Sequence, residues 1–231
     1  MKKEIKENAR FSLIDFPKKN TIKAIIFDVG DVLALSRYSL KTYDGKTFHL
    51  GVHEDVAKKL KISLDQYFDS IDSIYANSIE GKISLQEALE AISKNFKISR
   101  TKLKQIYFNT YQKHFKQNKH LFGKAKLLKK RGYKIAILSD QWYLSKRVLM
   151  PKKLYAFFDV LVVSCDVGIR KPNPEIYELV LKKLKLKPDE AIFIDNQEWN
   201  LIPAQKLGMS AILFKDNKQL FSDDKWGALW R

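Results

Sequence analysis

The sequence predicts an α/β protein with a three-layer core built on a parallel sheet and interrupted by a block of α-helices. Short apolar runs rich in β-branched residues alternate with segments of helical periodicity, and such alternation gives a parallel sheet covered on both faces. The stretch from about residue 50 to 120 has helical periodicity and no strand-like run. We therefore expect a Rossmann-like core with an inserted α-helical cap domain.

The chain divides into three predicted parts. Residues 1–20 are polar and basic with isolated apolar residues, and we expect an arm lying on the surface. The core is predicted at 21–39 and 119–231, and the helical cap at 40–118. The length and the 45% hydrophobic content suffice for one such domain plus its insertion.

Five apolar runs are the predicted strands of the core: 23–27, 134–138, 160–163, 191–194 and 211–214. The first ends abruptly at Asp28 and Gly30, as a buried parallel strand does when it opens into a functional loop. Helical spacing predicts helices at 174–184 and at 200–207, the second ending before Gly208 as a C-cap.

Three helices are predicted in the cap. Ser63 and Gln66 form the spacing of a capping box, as do Ser84 and Glu87, and each pair opens an amphipathic stretch. The third helix is predicted from the spacing of Leu103, Ile106, Tyr107, Thr110, Tyr111 and His114.

Composition restricts the compartment and the partners. A single cysteine, Cys165, allows no internal disulfide, and the N-terminus lacks the apolar run of a signal peptide, so we expect a reducing cytoplasm. No stretch approaches the roughly 20 apolar residues of a membrane span. The net charge of +17 is carried mostly by scattered lysines. Arginine, and not lysine, is the residue expected to recognise bases in a nucleic-acid groove. We expect anionic small molecules as ligands and no specific nucleic acid.

Polar side chains follow three of the predicted strands. Asp28, Ser139 and Asp195 all occupy this position, and ligands of open parallel sheets bind beyond the carboxyl ends of the strands. An Asp after a strand is more often a turn former or a helix cap. Three such residues together, with the Gly-x-Arg-Lys-Pro loop at 168–172, indicate one site.

Four stretches, 25–33, 137–140, 168–172 and 193–196, together resemble the haloacid dehalogenase (HAD) superfamily of hydrolases. The resemblance covers about residues 22–215. Segments 129–139 and 200–209 are similar to the subgroup with a small helical cap, which includes sugar-phosphate phosphatases and the phosphatase domain joined to some epoxide hydrolases.

The resemblance implies the roles of the site residues. Asp28 would attack the phosphoryl group to form an aspartyl-phosphate, and Lys171 would offset charge in the transition state. Ser139 would hydrogen-bond a phosphoryl oxygen, with a strand-to-helix cap as its alternative role. The implied substrate contacts are Gly30, Asp140 and Arg170.

The resemblance also implies a Mg²⁺ site, and here the chain departs from the family. The implied ligands are Asp28, the backbone carbonyl of Gly30, Asp195 and Asn196. Asn196 stands where the family usually has a carboxylate, so Mg²⁺ binding should be weak. Gly30 stands where the family's phosphatases carry the acid and base, and Asp31 is either a relocated acid or a turn residue.

We therefore expect a phosphatase for a small phosphorylated metabolite, acting as a monomer or homodimer. Two alternatives stay open: a catalytically impaired HAD-fold binding protein, and a metal-independent dehalogenase-like hydrolase in which Arg37 contacts a halide or carboxylate. His49 and His53 should have structural or surface roles, because no nearby Cys or His completes a metal set. Trp142, Tyr143 and Trp199 pack helices or stack on a substrate, while Trp226 and Trp230 should anchor the tail.

Overall fold

A computed structural model describes residues 22–37, 41–43, 46–48, 50–222 and 226–230. The predicted N-terminal arm and His49 lie outside these residues. Nine strands lie among the described residues: β1 (Ala24–Phe27), β2 (Ala34–Ser36), β3 (Lys41–Tyr43), β4 (Lys46–Phe48), β5 (Phe115–Gln117), β6 (Lys134–Ser139), β7 (Val160–Val163), β8 (Ala191–Asp195) and β9 (Ser210–Leu213).

Eleven helices are described along the same residues. They are α1 (Leu50–Leu60), α2 (Leu64–Ile79), α3 (Leu85–Asn95), α4 (Arg100–His114), α5 (Lys119–Lys130), α6 (Tyr143–Leu149), α7 (Lys152–Tyr155), α8 (Ser164–Val167), α9 (Pro174–Leu184), α10 (Glu198–Lys206) and α11 (Asn217–Ser222). Among the described residues, none of these helices is both long and apolar enough to cross a bilayer.

The central sheet has five parallel strands in the order β7-β6-β1-β8-β9. All five predicted strands are confirmed as its members. Strand β1 is flanked on both sides, with Phe27 opposite Ile137 of β6 and Ile194 of β8. Its four residues are fully buried, which explains why it reads as a continuous apolar run.

The two faces of the sheet bury separate apolar layers, because successive side chains of a strand point to opposite faces. Ile25 and Phe27 pack in the layer shared with the helices α1 to α5, whereas Ala24 and Ile26 pack in the layer shared with α9 and α10. The predicted three-layer α/β core is confirmed.

Capping residues in the sequence define the ends of several helices. Ser63 and Ser84 cap α2 and α3, and both capping boxes are complete, with Gln66 and Glu87 bonding back to the cap residues. Helix α9 has the predicted bounds, and Gly208, with φ of +96°, follows the end of α10.

The helices α1 to α4, which we call the cap helices, stand between β2 and β5. Two features of this region were not predicted. The helical periodicity gave no sign of the short strand β5, which pairs antiparallel with β2. Strand β3 pairs antiparallel with β4 in a hairpin that lies within the predicted helical cap. Short strands of three residues carry too little pattern to be recognised. The boundaries of arm, core and cap stay predictions.

Trp142 joins the core to the cap helices. It follows β6 and is 1% exposed. Its ring packs edge-on against Tyr75 at 5.0 Å and Tyr107 at 5.1 Å between centroids, and its Nε1 donates to the hydroxyl of Tyr111 at 2.8 Å. Of its two predicted roles, helix packing is the one these contacts perform. Trp230 and Trp226 are also buried, as expected of tail anchors.

We predict that Trp142→Ala lowers the free energy of unfolding by about 3–5 kcal/mol, because it leaves a large cavity and removes the donor to the Tyr111 hydroxyl. Phe108→Ala, at a side chain 38% exposed on α4, should cost less than about 1 kcal/mol. Urea unfolding followed by circular dichroism measures both. Equal losses in the two variants would show that Trp142 is not a principal contact between cap and core.

Candidate active site

The carboxyl ends of β1, β6 and β8 bring three polar side chains together. Ser139 and Asp195 are the last residues of β6 and β8, and Asp28 directly follows β1. Since β1 lies between β6 and β8, Asp28 is placed between the other two residues. All three side chains are buried, so the site lies at the carboxyl edge of the sheet and away from bulk water.

Lys171 links the two carboxylates of the site. Its Nζ lies 3.1 Å from Asp28 Oδ1 and 2.6 Å from Asp195 Oδ2, and its side chain is 2% exposed. The loop that carries it begins at Gly168, which ends α8 with φ of +77°, and the Lys171–Pro172 peptide bond is cis. The backbone N–H of Lys171 donates to Asp140 Oδ1 at 3.1 Å. The loop therefore holds the Lys171 ammonium group between the buried carboxylates of Asp28 and Asp195.

Asp195 is held by more than this ion pair. Its Oδ1 accepts a hydrogen bond from the backbone N–H of Gln197 at 2.8 Å, and its Oδ2 also accepts from Asn200 Nδ2 at 3.1 Å. Sequence reasoning did not indicate Asn200. Its position five residues after Asp195, in the first turns of α10, is the signal that could have found it.

Ser139 is oriented by Gln141, a second residue that sequence reasoning did not indicate. Gln141 Nε2 donates to Ser139 Oγ at 3.1 Å, and the backbone N–H of Gln141 donates to Ser164 Oγ at 3.1 Å. The Ser139 hydroxyl also interacts with the Asp28 carboxylate and opposes the rise of the Asp28 pKa. The hydroxyl thus connects Gln141 to Asp28.

Burial dominates the electrostatics of the site. Burial raises the pKa of Asp28 to about 7, Lys171 opposes the shift and Asp195 adds to it. Burial also raises the pKa of Asp140, against the opposing charges of Lys171 and Arg170. Burial alone would lower the pKa of Lys171, but the carboxylates of Asp195, Asp28 and Asp140 outweigh it and hold that pKa above its usual range. Lys171 is therefore a permanent cation.

A cavity of about 920 Å³ lies between these strand ends and the cap helices. The core lines it with Gly30, Asp140, Gln141, Trp142, Ser145, Leu149 and Arg170. The cap helices and β5 line it with Val52, His53, Asp65, Phe68, Ile71, Asp72, Tyr75, Ile79, Tyr111 and Phe115. The three predicted substrate contacts, Gly30, Asp140 and Arg170, all face this cavity.

Other candidates lie elsewhere. Asp31 has φ of +56°, its Oδ1 accepts from the Ser36 N–H at 2.9 Å, and together with Asn196 it lines a separate groove. Arg37 lines a third groove and donates from Nε to the Phe115 carbonyl at 3.3 Å. His53 Nδ1 lies 3.0 Å from the Tyr67 hydroxyl. Tyr143 and Trp199 are half-buried and are not among the cavity residues.

The donor atoms for Mg²⁺ are few. Among the described residues, no group of three or more His, Cys, Asp or Glu side chains is placed to hold a metal ion. Both oxygens of Asp195 already accept hydrogen bonds. Asp28 Oδ1 is buried and, although Lys171 Nζ is 3.1 Å away, has no partner of hydrogen-bond geometry. One carboxylate with the Gly30 carbonyl and the Asn196 amide fits a weakly held Mg²⁺ that keeps several waters.

Comparison with known proteins identifies the family. The family model for haloacid dehalogenase-like hydrolases matches residues 22–208. The chain belongs to the haloacid dehalogenase-like hydrolases. A solved structure of a HAD family enzyme from Bacteroides thetaiotaomicron, in complex with magnesium and inorganic phosphate, is similar over 91% of this chain and all of that chain, with a TM-score of 0.67 and 22% identity. At 22% identity, this similarity establishes the fold of the chain and not its activity.

The named relatives of this haloacid dehalogenase-like hydrolase include bifunctional epoxide hydrolases and glyceraldehyde 3-phosphate phosphatases. Mouse bifunctional epoxide hydrolase 2 is 32% identical over 189 residues, which is 79% of this chain and 32% of that protein. The rat protein is 39% identical over 104 residues, 43% of this chain and 19% of that protein. The chain thus spans about a fifth to a third of these relatives. Glyceraldehyde 3-phosphate phosphatase of Methanocaldococcus jannaschii is 24% identical over 89% of this chain and 90% of that protein.

The raised pKa of Asp28 predicts a stability effect in this haloacid dehalogenase-like hydrolase. The unfolded chain releases the Asp28 proton near pH 4 and the folded chain near pH 7, so the folded state binds more protons in between. Its stability should therefore fall as pH rises from about 4 to about 7. Asp28→Asn removes this group, and its advantage over the unsubstituted protein should grow across that range by at least about 1 kcal/mol.

Urea unfolding in EDTA-containing buffer at pH 4.5, 6 and 7.5 measures the effect. Asp189→Asn, at an exposed carboxyl outside the site, serves as the control and should leave the pH dependence unchanged. A constant difference between Asp28→Asn and the unsubstituted protein would contradict the burial argument.

Proposed function

We propose that the protein is a phosphatase that hydrolyses phosphomonoesters through an aspartyl-phosphate on Asp28. The observation that carries this proposal is the buried Lys171 ammonium between Asp28 and Asp195 at the ends of adjacent strands. A carboxylate is a suitable nucleophile because its acyl-phosphate is labile to water. A fixed cation beside it lowers the repulsion between the carboxylate and an incoming phosphate dianion.

Each core residue has a defined task in this proposal. An oxygen of Asp28 attacks phosphorus, and Lys171 offsets the negative charge of the nucleophile and of the phosphoryl oxygens. Ser139, oriented by Gln141 Nε2 at 3.1 Å, donates its hydroxyl proton to a phosphoryl oxygen. Asn200 and the Gln197 N–H hold Asp195, so that Asp195 keeps Lys171 in place through the reaction.

Mg²⁺ is proposed as a weakly bound cofactor. Asp28, the Gly30 carbonyl and Asn196 would hold it, with Asp195 beside them. When bound, the ion would supply additional positive charge to the phosphoryl oxygens. The solved relative from Bacteroides thetaiotaomicron was obtained with magnesium and inorganic phosphate, which supports this part of the proposal.

The cavity indicates the class of substrate. Its walls are mainly aliphatic and aromatic, and the acidic and basic side chains among them are His53, Asp65, Asp72, Asp140 and Arg170. Such a surface binds an apolar, uncharged group, and its volume of about 920 Å³ exceeds the needs of a three-carbon sugar phosphate. We therefore propose a phosphomonoester of an apolar alcohol, rather than the substrate in the name of the glyceraldehyde 3-phosphate phosphatases.

The proposed partners and location follow the same reasoning. A small phosphorylated molecule, and no specific nucleic acid, is the proposed ligand of a monomer or homodimer in the cytoplasm. The dehalogenase alternative is weakened because Arg37 lines a groove other than the cavity that contains Gly30 and Asp140.

Asp28→Asn should abolish phosphatase activity, because the amide is a poor nucleophile while keeping the size and most hydrogen bonds of the carboxyl. We expect turnover of p-nitrophenyl phosphate to fall by more than about 10³-fold, with an unchanged circular dichroism spectrum. Asp189→Asn should keep full turnover. Substantial activity in Asp28→Asn purified free of host phosphatases would exclude Asp28 as the nucleophile.

Asn196→Asp should tighten Mg²⁺ by about tenfold or more. Restoring a carboxylate a few ångströms from the ion adds on the order of 4 kcal/mol of attraction at an effective dielectric near 20, of which water already supplies part, and each 1.4 kcal/mol is about tenfold. Calorimetric titration with and without fluoroberyllate measures it. Asn109→Asp, which adds the same charge on α4, is the control. Equal affinities in all forms would place residue 196 away from the ion.

A further inference from the structure

The loop after Asp28 brings no carboxyl group into the cavity. Gly30 has no side chain, although it lines the cavity. Asp31 follows, but its Oδ1 accepts from Ser36 N–H in a turn and its side chain lines a different groove. This loop therefore supplies no carboxyl group that could protonate a departing alcohol.

The neighbouring strand places a carboxyl group there. Strands β1 and β6 are parallel neighbours in the sheet, and Gly30 and Asp140 lie in the segments that follow their carboxyl ends. Both residues line the same cavity. Asp140 directly follows Ser139, and its Oδ1 accepts from the backbone N–H of Lys171, so its carboxyl group lies next to the residues proposed to bind the phosphoryl group.

One oxygen of Asp140 remains available to a ligand. Its Oδ1 accepts from the backbone N–H of Lys171 at 3.1 Å, and within the described part of the chain its side chain makes no further hydrogen bond. Asp140 also lines the cavity, where this second oxygen can serve a ligand. Asp65 and Asp72 also line this cavity, but they come from α2 and not from the strand beside Gly30.

The groups around Asp140 suit a residue that both donates and accepts a proton. Burial raises its pKa, Lys171 and Arg170 oppose the shift, and Asp195 adds to it. From the cap, Tyr75 faces Asp140 and Arg170, and burial raises the Tyr75 pKa to about 12, which keeps the phenol neutral. General acids work best when their pKa approaches the working pH.

We propose that Asp140 is the general acid and base of this site, in place of the carboxyl group absent at Gly30. This inference rests on the proposed phosphatase function. As the Asp28 oxygen bonds to phosphorus, the bond from phosphorus to the alcohol oxygen breaks and the proton of Asp140 passes to that oxygen. Water then attacks phosphorus, its proton passes to Asp140, and the bond from phosphorus to Asp28 breaks. The products are one alcohol and one phosphate, and both aspartates are restored.

The test compares two substrates that differ in their leaving groups. p-Nitrophenolate leaves without protonation, whereas the alkoxide of hexyl phosphate requires a proton. Asp140→Asn keeps an oxygen for the Lys171 N–H and removes only the acid. We expect turnover of hexyl phosphate to fall by about 10²- to 10⁴-fold and turnover of p-nitrophenyl phosphate by less than about tenfold.

Two further variants sharpen the result. Adding Gly30→Asp to Asp140→Asn should recover turnover of hexyl phosphate by at least about tenfold, because a Cβ at position 30 would meet nothing within 4 Å. Asp72→Asn, which removes a carboxyl group from the cap side of the cavity, should change both rates by the same factor. Selective loss in Asp72→Asn instead of Asp140→Asn would overturn the assignment.

The remaining outcomes separate the two proposals. An active unsubstituted protein whose Asp140→Asn variant loses both rates equally overturns the role of Asp140 and leaves the phosphatase function standing. If hexyl phosphate competitively inhibits turnover of p-nitrophenyl phosphate but is not itself hydrolysed by the unsubstituted protein, the result does the same, because a bound alkyl ester then receives no proton. Inactivity on both substrates, with and without Mg²⁺, overturns the proposed function and this inference with it.

Discussion

The ammonium group of Lys171, buried between Asp28 and Asp195, is the interaction on which the rest of the site depends. Removing charged groups from water is costly, and the loss of one member of a buried pair typically costs about 3–5 kcal/mol because the other is left uncompensated. Here one cation serves two carboxylates. The hydrogen bonds of Asn200 and of the Gln197 N–H to Asp195 supply part of the missing hydration.

The sheet makes this arrangement possible. A central strand with parallel neighbours on both sides presents three chain ends at one edge, and β1 has this place between β6 and β8. The apolar layers on both faces keep water from the strands, and the same exclusion raises the pKa of Asp28 and of Asp140. The burial that stabilises the fold thus also sets the protonation states at the site.

Trp142 connects the candidate site of the core with the cap helices. It lies three residues after Ser139, packs against Tyr75 and Tyr107 of the cap helices, and lines the cavity. These contacts hold the cap helices against the chain segment that follows Ser139. The cavity therefore combines two charged core residues, Asp140 and Arg170, with a largely apolar wall from the cap helices, and this contrast underlies the proposed class of substrate.

The sequence by itself determined the five core strands, the capped helices of the cap and the family, because these depend on local periodicity, capping residues and short motifs. It also indicated Asp28, Ser139, Lys171 and Asp195 as one group, since residues that follow parallel strands meet at one edge. It could not reveal that Asn200 and Gln141 support them, or that Asp31 turns away from the cavity. Nor could it show β5, Trp142 as the link between cap and core, or the apolar lining. These features are set by contacts between residues far apart in the chain, and only the tertiary structure decides which side of a loop each side chain faces.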